Sequence, residues 1–381
     1  MADETILANA RLVLPGETVH GHIVLRDGLI AAVDTGAAPA GAEDMGGDTI
    51  VAGLVELHTD HIEGHYIPRR NVFWNLLAAI QAHDAQIATS GITTVFDALR
   101  VGTDDDAAMN ADHMSAMAAA IDRSAREGRL RADHFIHLRC EVSADDGLEG
   151  FRAMEDSPRL KLVSLMDHAP GQRQYADLAQ YRGYYQKKLA LTDEAFETFS
   201  ARRIAQSLRN AGRTRAAVCE ACHARGIAIA SHDDATLAHV AESAELGAAL
   251  AEFPTTLEAA RASREAGLKV LMGGPNIVRG GSHSGNVSAL ELWRAGLLDI
   301  LSSDYVPFSL LQSAFLLAET GEASLSEAMA LVSTNPARAV GLDDRGAVET
   351  GLRADLVRVA TSGEGEPPVV RAVYREGRRV A

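Results

Sequence analysis

The chain has 381 residues, and 36 Lys and Arg against 52 Asp and Glu give a formal net charge of −16 at pH 7. Hydrophobic residues make up 47% and charged residues 23%, as is typical of a folded globular protein. The acidic balance excludes nucleic acid and anionic membrane surfaces as partners, because both select basic protein faces. A small phosphorylated ligand is not excluded, since it needs only a local basic pocket.

The two ends of the chain carry similar short, turn-rich β patterns. ILANARLVLPG, HIVLRDG and LIAAVDTG lie near the N-terminus, and ADLVRVA and VVRAVYREGRRV lie near the C-terminus. Alternating apolar residues and glycine-containing breaks are typical of antiparallel strands. We therefore predict one small β-sandwich domain that is built from residues 1–50 and 341–381.

Residues 51–340 alternate short apolar runs with longer helical stretches. The eight runs are IVAGLVEL, ITTVFDAL, HFIHLRCE, LKLVSLMDH, IAIASHDD, ALAEFPTT, LKVLMGG and LLDILSSDY. Parallel strands that are buried on both faces read as continuous apolar runs, and eight βα repeats predict a (β/α)8 TIM barrel of the α/β class. The final helical stretch, SLSEAMALVSTNPARAVG, opens with a capping box of Ser324 and Glu327.

Cysteine usage and the absence of a visible leader predict a cytoplasmic protein. The start of the chain has neither a basic segment nor a long apolar segment, and no stretch approaches the ~20 apolar residues of a membrane span. Cys140, Cys219 and Cys222 are too few for a disulfide framework. The stretch CEACH matches a haem-attachment pattern, but it lies inside an amphipathic helical segment that ends at Gly226, so we interpret it as a helix face.

Polar side chains with ligand chemistry end six of the eight predicted strands. They are His58 and Asp60 on the first strand, Glu141 on the third, Asp167 and His168 on the fourth, His232, Asp233 and Asp234 on the fifth, Glu252 on the sixth and Asp304 on the eighth. The carboxyl ends of barrel strands meet at one face, where the active sites of such barrels lie. We therefore expect these side chains to form one site.

Convergent imidazoles and carboxylates with no basic partner need a cation, and two such sets predict two divalent ions per chain. Mixed nitrogen and oxygen ligands favour Zn, Mn or Fe over Mg. His58 and Asp60 are two residues apart, so an extended strand places both on one face as ligands. Asp304 is predicted to bind the first metal and to take a proton from the bridging water.

Glu141, His168 and His232 are the predicted remaining ligands. A carboxylate can bridge two metals about 3.5–4 Å apart, so Glu141 is the bridging candidate, although it could instead pair with Arg139. His168 and His232 would complete the second metal site. For Glu252, both metal ligation and an orienting role behind the ligands remain open.

Two further segments are candidates for binding an anionic ligand. After the seventh strand, the segment MGGPNIVRGGSHSGN contains Arg279, Gly280, Gly281 and His283. We predict that these residues bind the anion, because glycines let backbone amides approach it closely and arginine adds a forked donor. A flexible loop without a ligand is the alternative. After the fourth strand, Arg173 lies in the basic, tyrosine-rich segment HAPGQRQYADLAQYRGYYQKK, whose lysines could also form a solvated helix face.

Two histidines follow the first strand, and both could face the substrate or the solvent. His61 comes directly after Asp60, and His65 lies four residues further along the chain. We include His65 among the predicted substrate-binding residues.

These motifs together resemble the amidohydrolase superfamily, and more narrowly the ribose 1-methylphosphonate 5-triphosphate diphosphatases of the carbon–phosphorus lyase pathway. The resemblance runs from about residue 50 to the C-terminus and rests on HTD at 58–60, SGITTVFDAL, HLRCE, LVSLMDHAPGQRQY, ASHDDAT, AEFPTT, MGGPNIVRGGSHSGN and DILSSDY. The chain departs from many superfamily members in Asp60 of the first strand, in Glu252 of the sixth and in the lack of a lysine at the end of the fourth. It also has His61 where the narrower family carries asparagine.

The resemblance implies a metal-dependent hydrolase of phosphonate catabolism. It would cleave alpha-D-ribose 1-methylphosphonate 5-triphosphate to the 5-phosphate and pyrophosphate, with a metal-activated water attacking the α-phosphorus. We also expect a homo-oligomer that associates loosely with other enzymes of the pathway. The alternatives are another amidohydrolase reaction, such as cyclic amide hydrolysis or base deamination, and a non-catalytic subunit.

Overall fold

A computed structural model describes residues 4–102, 109–282, 285–361, 363 and 365–381 of the chain. Its first sheet contains β1 (Glu4–Leu14), β2 (Glu17–Arg26), β3 (Leu29–Asp34), β4 (Glu43–Asp44), β5 (Thr49–Ala52), β14 (Leu356–Ala360), β15 (Val369–Arg375) and β16 (Arg378–Arg379). The strand order is β16-β15-β14-β5-β1-β2-β3, with β4 beside β1. Because β5 pairs with both β1 and β14, the two ends of the chain form one small β domain, as predicted.

The second sheet is the barrel. Its strands are β6 (Leu54–Thr59), β7 (Ile92–Val101), β8 (Asp133–Glu141), β9 (Leu160–Met166), β10 (Ala228–His232), β11 (Leu250–Glu252), β12 (Lys269–Gly273) and β13 (Ile300–Ser302). Neighbours in sequence pair in parallel from β6 to β13. The barrel closes where Thr59 bridges Asp304 and the Asp60 N–H donates to the Asp304 carbonyl at 2.9 Å. The predicted (β/α)8 barrel is confirmed.

Gly53 separates the two sheets at a point where the sequence predicted one continuous strand. A Cβ atom at Gly53 would lie 2.2 Å from Oγ1 of Thr93, so the chain can pass this junction only with glycine. The run IVAGLVEL is therefore divided between β5 of the small domain and β6 of the barrel. The last N-terminal strand of the first sheet therefore ends at Ala52.

Helices follow most barrel strands. They are α1 (Ile62–Tyr66), α2 (Leu76–Thr89), α3 (Ala111–Arg126), α4 (Gly147–Arg152), α5 (Leu178–Lys188), α6 (Asp193–Arg225), α7 (Leu237–Glu245), α8 (Leu257–Glu265), α9 (Gly274–Arg279), α10 (Ala289–Arg294), α11 (Ser309–Glu319), α12 (Leu325–Ala330) and α13 (Thr334–Ala339). A 3-10 turn covers Arg173–Tyr175. Among the described residues, no helix combines the length and apolarity that a membrane crossing needs.

Two helix predictions can be compared directly with the structure. The cysteine pair of CEACH lies within α6, where Cys219 and Cys222 are buried and free and Gly226 caps the helix at φ 63°. The helix-face interpretation is therefore confirmed. The prediction of a single C-terminal helix is wrong. The capping box opens α12, but Ser333 leaves helical geometry at φ −138° and ψ −75°, and a second helix, α13, follows.

Candidate metal centre

A cavity of about 410 Å³ opens at the carboxyl ends of the barrel strands. Its polar lining includes His58, Asp60, Arg139, His168, His232, Asp233, Asn276, Arg279 and Asp304. Strands on opposite sides of the barrel supply these side chains, which is the arrangement that closure of a parallel barrel produces. Six of the strand-end residues of the sequence therefore line one cavity, namely His58, Asp60, His168, His232, Asp233 and Asp304.

One buried carboxylate orients two of the imidazoles. Oε1 of Glu252 lies 3.1 Å from Nδ1 of His58, and its Oε2 lies 3.1 Å from Nδ1 of His232. Burial alone would raise the pKa of Glu252, but the neighbouring imidazoles, His58 foremost, hold it well below its usual range. Since Nδ1 of each ring donates to Glu252, Nε2 of each ring is left for a ligand in the cavity. Donor atoms of His58, His232 and Glu252 also lie within 4.8 Å of one another, but Glu252 is fully buried and does not line the cavity, so its place favours the orienting role.

His58, Asp60 and Asp304 form one group of potential metal ligands. One donor atom from each lies within 4.8 Å of the others. Asp304 adopts φ 54°, a left-handed conformation that aspartate tolerates better than most residues and that is frequent at functional sites. Burial and the charge of Asp60 raise the pKa of Asp304, despite the nearby positive groups. A cation at this place would relieve the repulsion between the two carboxylates.

His168, His232 and Asp233 form a second group with the same spacing limit of 4.8 Å. Asp233 lies directly after β10 in a left-handed conformation at φ 58°, and Oδ2 lies 3.5 Å from Nε2 of His232. Sequence reasoning noted Asp233 at a strand end but did not include it among the ligands. In an extended strand it would face away from His232, and only the left-handed turn, which the sequence does not show, brings it to the same side.

Glu141 lies behind His168 rather than on the cavity wall. It is fully buried, and its Oε2 atom accepts from Nδ1 of His168 at 2.6 Å and from Arg100 at 3.3 Å. Burial alone would raise the pKa of Glu141, but His168 and Arg100 lower it well below its usual range. The contacts give Glu141 the orienting role that Glu252 has for the other imidazoles, in place of the predicted bridge between metals. Glu141 also does not pair with Arg139.

Arg139 is a charged cavity residue that the sequence reasoning did not include in the site. Its Nη1 atom donates to Oδ2 of Asp60, and the carboxylates of Asp60, Glu252 and Asp304 raise its pKa although burial opposes them. Its Nε atom is buried and has no hydrogen-bond partner among the described residues. The expectation that the ligands lack a basic partner is therefore wrong. The alternation along β8, which places Arg139 two residues from Glu141, was the available signal.

The glycine-rich segment is largely helical, so the flexible-loop alternative is wrong for its first half. It contains α9, which Gly280 caps at φ 77°. The N–H groups of Gly280 and Gly281 donate to the carbonyls of Ile277 and Asn276 at 3.1 and 2.9 Å, so they are not free to bind an anion as predicted. Arg279 does line the cavity, as does Gly281. His283 lies outside the described residues.

Arg173 does not reach the cavity. It is 3% exposed and donates to the carboxylates of Asp234 and Glu242, so its charge is already paired inside the protein. Burial lowers the pKa of Arg173 to about 10. These contacts assign it a structural place between the fifth strand and α7 and offer no support for substrate binding.

His65 lies in a cluster of histidines and is not part of the cavity lining. Its ring centroid is 5.1 Å from that of His61 and 5.7 Å from that of His83. The Nε2 atom of His61 donates to Oε1 of Gln86 on α2 at 2.9 Å. Both histidines therefore pack α1 against α2.

The comparisons with known proteins agree in sequence and in fold. The sequence pattern of the amidohydrolase family matches residues 12–381. A protein of Escherichia coli named alpha-D-ribose 1-methylphosphonate 5-triphosphate diphosphatase is 45% identical over 378 residues, which cover 98% of this chain and 100% of that protein.

Solved structures share the fold at low sequence identity. N-acetyl-D-glucosamine-6-phosphate deacetylase of Mycobacterium smegmatis has a TM-score of 0.64 at 16% identity, over 99% of each chain. Dihydropyrimidinase of Brevibacillus agri has a TM-score of 0.63 at 14% identity, over 99% of this chain and 94% of that one. At such identities the likeness extends to the fold alone.

Proposed function

The chain belongs to the amidohydrolase family, and we propose that it hydrolyses alpha-D-ribose 1-methylphosphonate 5-triphosphate to the 5-phosphate and pyrophosphate in phosphonate catabolism. The observation that carries this proposal is the 45% identity to the Escherichia coli diphosphatase over 98% of the chain. The cavity is consistent with it, because Arg139 and Arg279 bring two guanidinium groups to its wall. An anionic triphosphate needs such groups, whereas a neutral amide does not.

The residues of the cavity fit a pair of divalent cations. His58, Asp60 and Asp304 offer one set of donors, and His168, His232 and Asp233 offer another. We propose two ions per chain, with Zn, Mn or Fe suited to these mixed nitrogen and oxygen donors. When bound, such ions lower the pKa of water and stabilise negative charge on phosphoryl oxygens.

The side chains would divide the remaining work between orientation and proton transfer. Glu252 keeps Nδ1 of His58 and His232 protonated, so that both Nε2 atoms face the cavity. The carboxylate of Asp304 would accept a proton from the attacking water, because it lines the cavity beside the donors of His58 and Asp60. Arg279, exposed at the cavity wall, would bind the outer phosphates of the substrate.

The test is the set of products that the purified enzyme forms from the ribosyl triphosphate. Pyrophosphate and the ribosyl 5-phosphate in equal amounts are expected by phosphorus NMR. Release of orthophosphate alone, or ammonia release from bases with no turnover of the triphosphate, would favour a different amidohydrolase reaction. Growth on a phosphonate with an inactive variant would instead support the non-catalytic alternative. A cytoplasmic homo-oligomer that associates loosely with other enzymes of the pathway remains a prediction.

A further inference from the structure

Arg139 is a partly buried cation in the cavity lining that the ligand sets alone do not explain. It projects from β8 with a side chain that is 15% exposed, and it lines the same cavity as His58, His232 and Asp304. Metal-binding carboxylates are normally neutralised by the metal itself. A permanent positive charge among them therefore implies a further negative group that is present during the reaction.

The donors of Arg139 are only partly used within the protein. Among the described residues, the one side-chain hydrogen bond of Arg139 runs from Nη1 to Oδ2 of Asp60. A guanidinium carries five N–H donors, so it can share one of them with a carboxylate and still offer another to an oxygen of a bound anion. The exposed part of the Arg139 side chain lines the cavity.

From these contacts we propose that Arg139 is a catalytic residue whose guanidinium donates a hydrogen bond to a non-bridging oxygen of the α-phosphoryl group. This inference rests on the proposed function, because it requires a substrate whose α-phosphoryl group binds in the cavity that Arg139 lines. In the step, the water oxygen bonds to the α-phosphorus and its proton passes to Asp304. The bond from the α-phosphorus to the bridging oxygen breaks, and pyrophosphate leaves with the electron pair.

Negative charge develops on the α-phosphoryl oxygens in the transition state, where a positioned N–H donor stabilises it. Asp60 fixes the guanidinium from one side, so the donor does not need to reorganise when the transition state forms. Arg279, in contrast, is exposed at the cavity wall and is suited to the outer phosphates. The two arginines therefore have different expected kinetic signatures.

A rival account makes Arg139 only the counter-ion that positions Asp60. In that account the loss of the guanidinium changes how firmly the metals are held, and the rate falls because metal is lost. A contact with the phosphoryl group instead lowers kcat while the metal content stays constant. The two roles are thus separable by measuring both quantities on the same variants.

The experiment uses the full-length, metal-loaded protein with Arg139→Met and Arg139→Lys. For Arg139→Met we expect kcat for pyrophosphate release to fall about 10²–10³-fold, the usual loss for one donor to a developing oxyanion. The lysine variant should retain part of the rate, because it keeps the charge without the fork. Metal content by mass spectrometry should equal that of the wild type. The Kd for an α,β-methylene analogue of the substrate, measured by calorimetry, should rise by less than about tenfold.

Added guanidinium chloride should partly restore the rate of Arg139→Met. The control variant is Arg345→Lys, which changes a buried arginine that contacts Asp133 and should keep wild-type kinetics. Wild-type rates in both Arg139 variants would overturn the inference and leave the proposed function intact, and so would loss of metal in step with the loss of rate. If the wild-type protein itself released no pyrophosphate, the proposed function would fail, and the inference with it.

Discussion

Oε1 of Glu252 lies 3.1 Å from Nδ1 of His58, and this contact decides which nitrogen of the ring faces the cavity. Oε2 of the same carboxylate does the same for His232 at 3.1 Å, and Ser164 donates to Oε2 at 2.7 Å. One fully buried side chain thus sets the tautomers of two potential ligands that come from different strands. The orientation of the centre depends on Glu252 although it does not line the cavity.

Glu252→Gln should weaken metal binding without unfolding the barrel. The amide can accept from one imidazole but not from both, so one ring loses its orienting partner. We expect the affinity for Zn²⁺ or Mn²⁺ to fall about 10–100-fold, as for other carboxylates behind metal ligands. Titration of the metal-depleted protein measures this, with Glu258→Gln on the exposed face of α8 as the matched control. Equal affinity in the variant and the wild type would contradict the orienting role.

Asp304→Asn should abolish most of the turnover and leave the fold intact. The variant keeps a similar shape but loses the base, and a positioned general base typically contributes about 10²–10⁴-fold to the rate. Steady-state pyrophosphate release and circular dichroism on one preparation measure both effects. A variant that keeps the wild-type rate would remove Asp304 from the proton transfer.

Arg279→Ala should affect substrate binding more than the chemical step. Arg279 is exposed at the cavity wall, so its contacts would be made in the ground state as well as in the transition state. We expect KM to rise about tenfold with kcat nearly unchanged, the pattern of uniform binding. A large fall in kcat at constant KM would instead place Arg279 at the reacting phosphorus.

His134 should make the free energy of unfolding fall as the pH rises into the alkaline range. Its Nδ1 and Nε2 atoms donate to Asp97 at 2.8 Å and to Asp84 at 3.3 Å, so the folded state holds the imidazolium. Burial opposes the charge, but the two carboxylates outweigh it and raise the pKa from 6.5 to about 9. The resulting stabilisation is fully present below pH 6.5 and is lost as the pH rises through about 9.

Urea unfolding at several pH values measures this contribution. The wild type should exceed His134→Gln in its free energy of unfolding by roughly 3 kcal/mol more at pH 6 than at pH 10. A difference between the two proteins that does not change with pH would contradict the raised pKa, because it would mean that folding leaves the pKa of His134 unchanged.

The site residues that could be predicted from the sequence are those that lie at the ends of predicted strands or alternate along them. His58, Asp60, His232 and Asp304 follow or end apolar runs, and the closure of the barrel brings them together. The apolar run IVAGLVEL is divided between two sheets at Gly53, where the side chain of Thr93 leaves no space for a Cβ atom. No local sequence pattern shows that contact. The barrel could therefore be predicted, while the exact division of the chain between its sheets could not.

The errors at the site have a common physical origin. Arg173 looked like a phosphate ligand because it lies in a basic segment, but Asp234 and Glu242, distant in sequence, pair with it. Gly280 and Gly281 looked like an anion cradle, but their amides cap α9. In each case a partner within the fold uses the donor that the sequence appeared to leave for a ligand.

Hydrolysis in ¹⁸O-labelled water tests the central claim most directly. The account predicts that a single turnover of the ribosyl triphosphate places the label in the ribosyl 5-phosphate and leaves the pyrophosphate unlabelled, because water attacks the α-phosphorus. Label in the pyrophosphate, or no cleavage of the triphosphate by the metal-loaded protein, would contradict it.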